Sequence, residues 1–169
     1  IPLVWVRLSG GVLMLSNLGV ATHLDVRDLT IGFSNQSKPA VSQLSFDLKR
    51  GECLGLVGES GSGKSLTALA IMQLLPTSAW VGSSSQILFD EQDLLTLSER
   101  EMRLVRGGKV GLVFQDASTA LNPVFTIAQQ MFEQIKGKDK LQQAIKLLDE
   151  VGVRQPDVHV HSYPHQLSG

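Results

Sequence analysis

The residues with the clearest chemistry are eight in a row, Gly58-Glu59-Ser60-Gly61-Ser62-Gly63-Lys64-Ser65. They complete the pattern G-x-x-x-x-G-K-[ST]. Glycines let the backbone curl so that successive N–H groups point inward around an anion. A helix opening at the end of the loop adds the positive end of its dipole to the same phosphates. Lys64 has the reach for β- and γ-phosphate oxygens, and the Ser65 hydroxyl suits a Mg²⁺ ion. Glu59, Ser60 and Ser62 complete the nucleotide-binding stretch.

Two other stretches imitate chemistry. Ile87-Leu88-Phe89-Asp90-Glu91 has an apolar run delivering an Asp and a Glu, as a Mg²⁺-binding strand would, and is read here as a structural strand and turn. His159, His161 and His165 have the alternation of a metal chelate. No further cluster of ligands accompanies them, and they are read as loop residues.

Elements must position the loop. His23 to Ile31 and Val41 to Leu48 alternate polar and apolar residues, the period of half-buried strands. Cys53-Leu54-Gly55-Leu56-Val57 is an apolar run typical of a strand buried on both faces, with Cys53 as a small core residue. A helix is expected from Lys64 to Leu75, ending before Pro76. Gln86 to Phe89 and Val110 to Phe114 read as further strands. Ser98 to Glu101 matches a capping box, and Leu141, Ala144, Ile145, Leu148 and Val151 keep helical spacing up to Gly152. Strands interleaved with helices give an α/β domain of the P-loop NTPase class.

Composition is consistent with this reading. The 169 residues carry 15 Lys+Arg against 16 Asp+Glu, a net charge of -1, without the basic excess of a nucleic-acid binder. At 43% hydrophobic and 18% charged the chain is not a disordered tail. A single cysteine allows no internal disulfide and fits a reducing compartment. Residues 1–22 have apolar runs too short for a spanning helix and lack a basic start. They read as an extension of unclear role ahead of a domain over 23–169, with a weak membrane-surface contact as the alternative.

A P-loop alone leaves kinases, GTPases, helicases and transport ATPases open. The wording Gly58 to Ser65, the segment Val113-Phe114-Gln115-Asp116, and the ending Tyr163-Pro164-His165-Gln166-Leu167-Ser168-Gly169 together resemble the ATP-binding cassette (ABC) transporter family. Arg106-Gly107, Leu121-Asn122-Pro123 and the YPHQLSG ending look like the ATPase subunits of dipeptide and oligopeptide importers. The resemblance implies ATP and Mg²⁺ as ligands. It makes Gln115 the Q-loop glutamine, which meets Mg²⁺, the attacking water and the membrane subunit. It also puts Phe33 at the adenine-stacking position, where a flat ring offers stacking area to a base, although a lone Phe after a strand serves equally as core. Leu167, Ser168 and Gly169 become the start of the LSGGQ signature, which faces ATP on an opposite subunit. Implied partners are transmembrane permease subunits and a second ABC ATPase subunit, identical or not, at the cytoplasmic face of the cell membrane.

The resemblance also implies that Walker B, its catalytic Glu and the switch histidine lie beyond Gly169, along with core strands of the sheet. The 169 residues then read as the front of a larger domain, covering the ATP-binding core and most of a helical subdomain. Negligible ATPase activity is expected of them alone. The alternatives are a soluble P-loop kinase, which would need an arginine-bearing lid and an acceptor pocket, and a non-catalytic remnant. The solute (dipeptide, oligopeptide, nickel or glutathione) is not readable from these residues.

Overall fold

A computed structural model describes residues 3–8, 11–16, 24–114 and 120–167. The chain divides into two compact units, Ile1–Gln115 and Asp116–Gly169. Among the described residues, the first holds two sheets. In one, β3 (Leu24–Phe33) lies between β4 (Val41–Leu48) and, on its other edge, β6 (Ala79–Val81) and β7 (Gln86–Phe89), with β8 (Gln92–Asp93) outside β7. All these pairings are antiparallel.

The alternation in β3 changes phase midway: Leu24 and Val26 are buried, then Leu29 and Ile31. An extra residue must therefore be absorbed between them. The β3–β4 register shifts between Val26 and Leu29, and Asp28 sits there at φ 49. This is a bulge, and it returns Leu29 to the core face. Polar side chains take up the disrupted ladder: Ser45 Oγ accepts from Asp28 N at 2.9 Å, and Thr30 Oγ1 accepts from Gln43 N at 3.1 Å.

The second sheet has the order β5 (Leu54–Leu56), β1 (Leu3–Leu8), β2 (Gly11–Ser16), β9 (Val110–Phe114). Residues expected to be a mere extension thus form a hairpin between two strands of the domain. β1 runs parallel to β5, and β2 antiparallel to β9. The expected two-sided burial of the Cys53–Val57 run is not found. Cys53 is exposed and Val57 is 97% exposed, because the strand is only three residues long and these two residues flank it.

Helix α1 (Lys64–Ile71) buries Thr67, Ala68, Ala70 and Ile71 against the core around Leu24, Ile31, Ile87 and Met102. It ends four residues before the expected Leu75. Gln73 at φ 49 turns the chain away, and its side-chain amide donates to Leu94 O. Helix α2 (Glu99–Arg106) follows a reciprocal capping box between Ser98 and Glu101 and buries Met102 and Val105. Glu99 sits below its ordinary pKa, chiefly through the hydrogen bond from Arg106, and Glu101 does so through bonds from the Ser98 hydroxyl and N–H.

The second unit packs α3 (Ile127–Met131), α4 (Lys140–Glu150) and α5 (Pro156–His159) around Ala128, Ile135, Ala144 and Val160. Thr126 and Gln129 form a capping box for α3, and Gln130 Nε2 donates to Asn122 O at 3.1 Å and Phe125 O at 3.0 Å. Gly152 at φ 81 ends α4, as the sequence predicts. The expected helical stripe is buried unevenly: Ala144 is fully covered, whereas Val151 is 76% exposed.

Candidate functional site

β5 delivers the chain into Gly58, and α1 leaves from Lys64, so the loop spans a strand end and a helix start. Gly61 and Gly63 adopt φ 82 and 87, the left-handed region that side chains disfavour. Gly63 is also pinned from outside: a Cβ there would stand 2.4 Å from Val41 Cγ2 and 2.9 Å from Ala40 O. At Gly58 a Cβ would stand 2.6 Å from Ser62 Oγ. The loop therefore closes on itself through the missing side chains. Gly63 N-caps α1 with no side-chain bond, which leaves the first N–H groups of the helix free of a protein acceptor from that side chain position.

Lys64 is 7% exposed. Its Nζ donates to Gly58 O at 2.9 Å, Glu59 O at 2.5 Å and Ser62 Oγ at 2.9 Å. Three oxygen acceptors satisfy the buried ammonium, as burial of a charge requires. The Thr67 hydroxyl donates to Gly63 O at 3.1 Å and so fixes the loop's last carbonyl. Residues 60–66 line a bowl of about 190 Å³. A neighbouring cavity of about 290 Å³ has Ser62 and Lys64 on one wall and Ala40, Val41 and Ser42 on another. A larger cleft of about 630 Å³ between Gln73, Ser85 and Asp93 has no cationic side chain in its lining, and Asp93 Oδ1 already accepts from Leu95 N and Ile87 N. Of the three, the smaller bowl and its neighbour carry a cationic side chain, Lys64, in their lining.

The sequence of this site is matched by a family model: residues 41–169 fit the ABC transporter domain. The chain belongs to the ABC transporter family. Within that family it is 46% identical over 154 residues to the peptidoglycan transport ATP-binding protein YejF of Agrobacterium fabrum, covering 86% of this chain and 28% of the relative. It is 44% identical to the dipeptide transport ATP-binding protein DppD of Escherichia coli, covering 86% of this chain and 47% of the relative. It is 40% identical to the oligopeptide transport ATP-binding protein OppD of Bacillus subtilis, covering 89% and 44%. The chain thus spans between about a quarter and a half of the length of these curated relatives. A bacterial Atm1-family ABC exporter solved with ATP bound matches 98% of this chain and 28% of its own, with a TM-score of 0.59 at 20% identity. That likeness establishes the P-loop NTPase fold of the ABC type.

An ABC domain is a nucleotide-binding domain; of the eight loop residues, Ser60 to Ser65 line the bowl, and Gly58 and Glu59 meet it through their carbonyls on Lys64. Phe33 is the last residue of β3 and half-buried, and it is not among the residues lining the bowl. Its strand borders the loop nonetheless, since Ala40 N donates to Ile31 O at 2.8 Å and Ala40 O lies against Gly63. Gln115 lies outside the described residues, as do Ser168 and Gly169. Leu167 belongs to the second unit, where its N–H donates to Pro164 O at 3.2 Å after a 3-10 turn over Pro164–Gln166.

Asp90 and Glu91 occupy the left-handed turn between β7 and β8, at φ 49 and 64, and line neither cavity at the loop. His159 ends the short helix α5 rather than lying in a loop, and His165 stacks on Tyr163 with centroids 5.8 Å apart. Two features escaped the spacing argument. Ala40 and Val41 form the outer wall of the loop, a contact set by the β3–β4 pairing. Arg106 ties down the far end of α1, with Nε donating to Met72 O at 2.7 Å, Nη2 to Gln73 O at 3.1 Å and Nη1 to Glu99 Oε1 at 2.9 Å. No local pattern signals either.

Proposed function

We propose that residues 23–169 bind ATP as part of the ATPase subunit of an ABC importer for peptides or related small solutes. The observation that carries this is the Gly58–Ser65 loop, with the Lys64 ammonium held inside it by Gly58, Glu59 and Ser62. A phosphate entering the bowl meets that ammonium and the start of α1, two sources of positive potential. The glycine cradle, where a side chain at Gly58 would strike Ser62, fits a phosphate-wrapping backbone. Mg²⁺, when bound, offsets charge on the phosphate oxygens. Ser65, exposed in the first turn of α1, and Gln115 are the residues that would hold it. Phe33 would stack on adenine from the end of β3.

The similarity to DppD, OppD and YejF supports peptide-type solutes. Among the described residues no helix is long and apolar enough to cross a membrane. In the proposed reading, transmembrane permease subunits therefore provide the path. The chain docks on them from the cytoplasmic face and pairs with a second ATPase subunit, whose nucleotide faces Leu167 to Gly169.

The test is equilibrium binding of MgATP to the full chain and to Lys64→Ala. One charge-assisted bond to phosphate contributes roughly 1.5–3 kcal/mol, so affinity is expected to fall about 10- to 100-fold. Ser65→Ala is expected to weaken binding only when Mg²⁺ is present. Absence of MgATP binding by the full chain, or equal affinity in Lys64→Ala, would refute the proposal.

A further inference from the structure

The end of β3 that carries Phe33 is held differently from the rest of that strand. β4 stays beside β3 only as far as Ile31, opposite Val41. Beyond it, Gly32 and Phe33 pair among the described strands with β6 alone, Gly32 opposite Trp80 and Phe33 opposite Ala79. Two bonds extend this contact by one residue: Ser34 N and Ser34 Oγ both donate to Ser78 O, at 3.2 and 3.1 Å. β6 itself is three residues long, with Ala79 and Val81 half-buried and Trp80 45% exposed. A strand that short does not hold its place by its ladder alone.

What adds to the ladder is the Trp80 indole. Gly32 is buried, and a Cβ there would stand 2.2 Å from Trp80 Cζ2 and 2.4 Å from Cε2. The ring thus occupies the place of the side chain that Gly32 lacks. An aromatic ring across a strand pair covers a glycine's backbone and restores the packing that the glycine omits. Successive residues of a strand face opposite sides, so the indole acts on Phe33 through the backbone and not through its ring.

We infer that Trp80 is a positioning residue for the base end of the nucleotide site: its indole, seated on Gly32, clamps β6 to the end of β3 and so fixes where Phe33 stands relative to the phosphate loop. Only residues 72–78 separate α1 from β6, so the same clamp ties the strand end that bears Phe33 to the chain leaving the loop's helix. This role rests on the ATP reading above, with Phe33 stacking on adenine.

The experiment measures binding of MgATP and of magnesium tripolyphosphate to the full chain, since tripolyphosphate probes the loop without a base. Trp80→Ala is expected to lower MgATP affinity about fivefold or more, the scale of one base–aromatic stack, and to leave tripolyphosphate affinity unchanged. Trp80→Phe, which keeps a ring over Gly32, is expected to recover most of the loss. In a Phe33→Ala background Trp80→Ala is expected to have no further effect, because the indole acts through that residue. Gly32→Ala reaches the same contact from the other side. With Trp5→Phe leaving Trp80 as the sole tryptophan, Gly32→Ala is expected to move the emission to longer wavelength and to lower MgATP affinity as Trp80→Ala does.

Equal MgATP affinity in Trp80→Ala and the unaltered chain would overturn the inference. So would a parallel loss for MgATP and tripolyphosphate, or a loss that persists undiminished in the Phe33→Ala background. If Trp80→Ala unfolds, Gly32→Ala decides alone: a red-shifted emission with a loss confined to MgATP supports the role, and any other result overturns it. Failure of the ATP reading shows separately, in an unaltered chain that binds no MgATP. Failure of the Phe33 assignment shows in a Phe33→Ala variant that binds MgATP as well as the unaltered chain does, and either failure removes the role of Trp80 with it.

Discussion

Replacing Gly63 with alanine is expected to cost far more than the same change at Gly61, although both glycines have nearly the same backbone conformation. The shared term comes from φ 82 and 87. A left-handed conformation costs an L-residue roughly 1–2 kcal/mol, and the stiffer unfolded chain returns roughly 0.4–1 kcal/mol of that. At Gly61 no atom stands within 4 Å of the new Cβ, so the net cost is about 1 kcal/mol. At Gly63 the Cβ meets Val41 Cγ2 at 2.4 Å and the Ala40 carbonyl at 2.9 Å. Val41 is 7% exposed and β-branched, so it has little room to move. Overpacking of this kind adds roughly 1–3 kcal/mol, for a total of about 2–4 kcal/mol. Both tryptophans, Trp5 and Trp80, lie in the first unit, so urea titration followed by tryptophan emission reads the unit that holds the loop. In thermal melts the two variants should differ by several degrees, at roughly 2–4 °C per kcal/mol. Adding Val41→Ala should relieve part of the Gly63→Ala penalty, with a coupling of about 1 kcal/mol or more. Equal losses at Gly61 and Gly63, or strict additivity with Val41→Ala, would refute the contact-based reasoning.

Arg106→Met removes three donors from Met72 O, Gln73 O and Glu99, and should cost roughly 2–3 kcal/mol in the same titration. Arg106→Lys should recover only part of this, since an ammonium does not reproduce the planar fork. Acid should weaken the α2 end of the unit. Glu99 and Glu101 are held below the ordinary 4.5 in the folded chain, so their contribution is complete above that value. It is lost as pH falls through 4.5 and the lower folded values. Glu101→Gln should therefore flatten the acid limb of a stability-against-pH curve while leaving its neutral-to-alkaline part level.

What was readable in advance was whatever depends on neighbours in sequence. The loop pattern, the Ser98–Glu101 capping box, the stop at Gly152 and the strands around Leu24, Val41, Ile87 and Val110 all rest on residues a few positions apart. The bulge at Asp28 was present as a phase change between Val26 and Leu29, visible only to a reader who asks where the extra residue goes. What depends on distant partners was not readable. Residues 3–8 and 11–16 pair with strands about fifty and one hundred positions away, and no local pattern in their apolar runs names those partners. Cys53 and Val57 look like core by composition, yet their burial depends on what stands beside a strand of three residues. Helix α1 stops at Ile71, and Gln73 just beyond it donates to Leu94 O, a partner from another element.

The grip of Gly58, Glu59 and Ser62 on the Lys64 ammonium bears on how a ligand is met. A free lysine side chain carries roughly 2 kcal/mol of rotamer entropy, and here that freedom is surrendered on folding, before any phosphate arrives. In the proposed reading, nucleotide then finds a pre-organised cation and exchanges one set of oxygens for another, without having to order a mobile arm. The ligand's own charge, rather than any restriction of the lysine, accordingly sets the lysine's share of the affinity. Neutral analogues of the same shape should gain almost nothing from it.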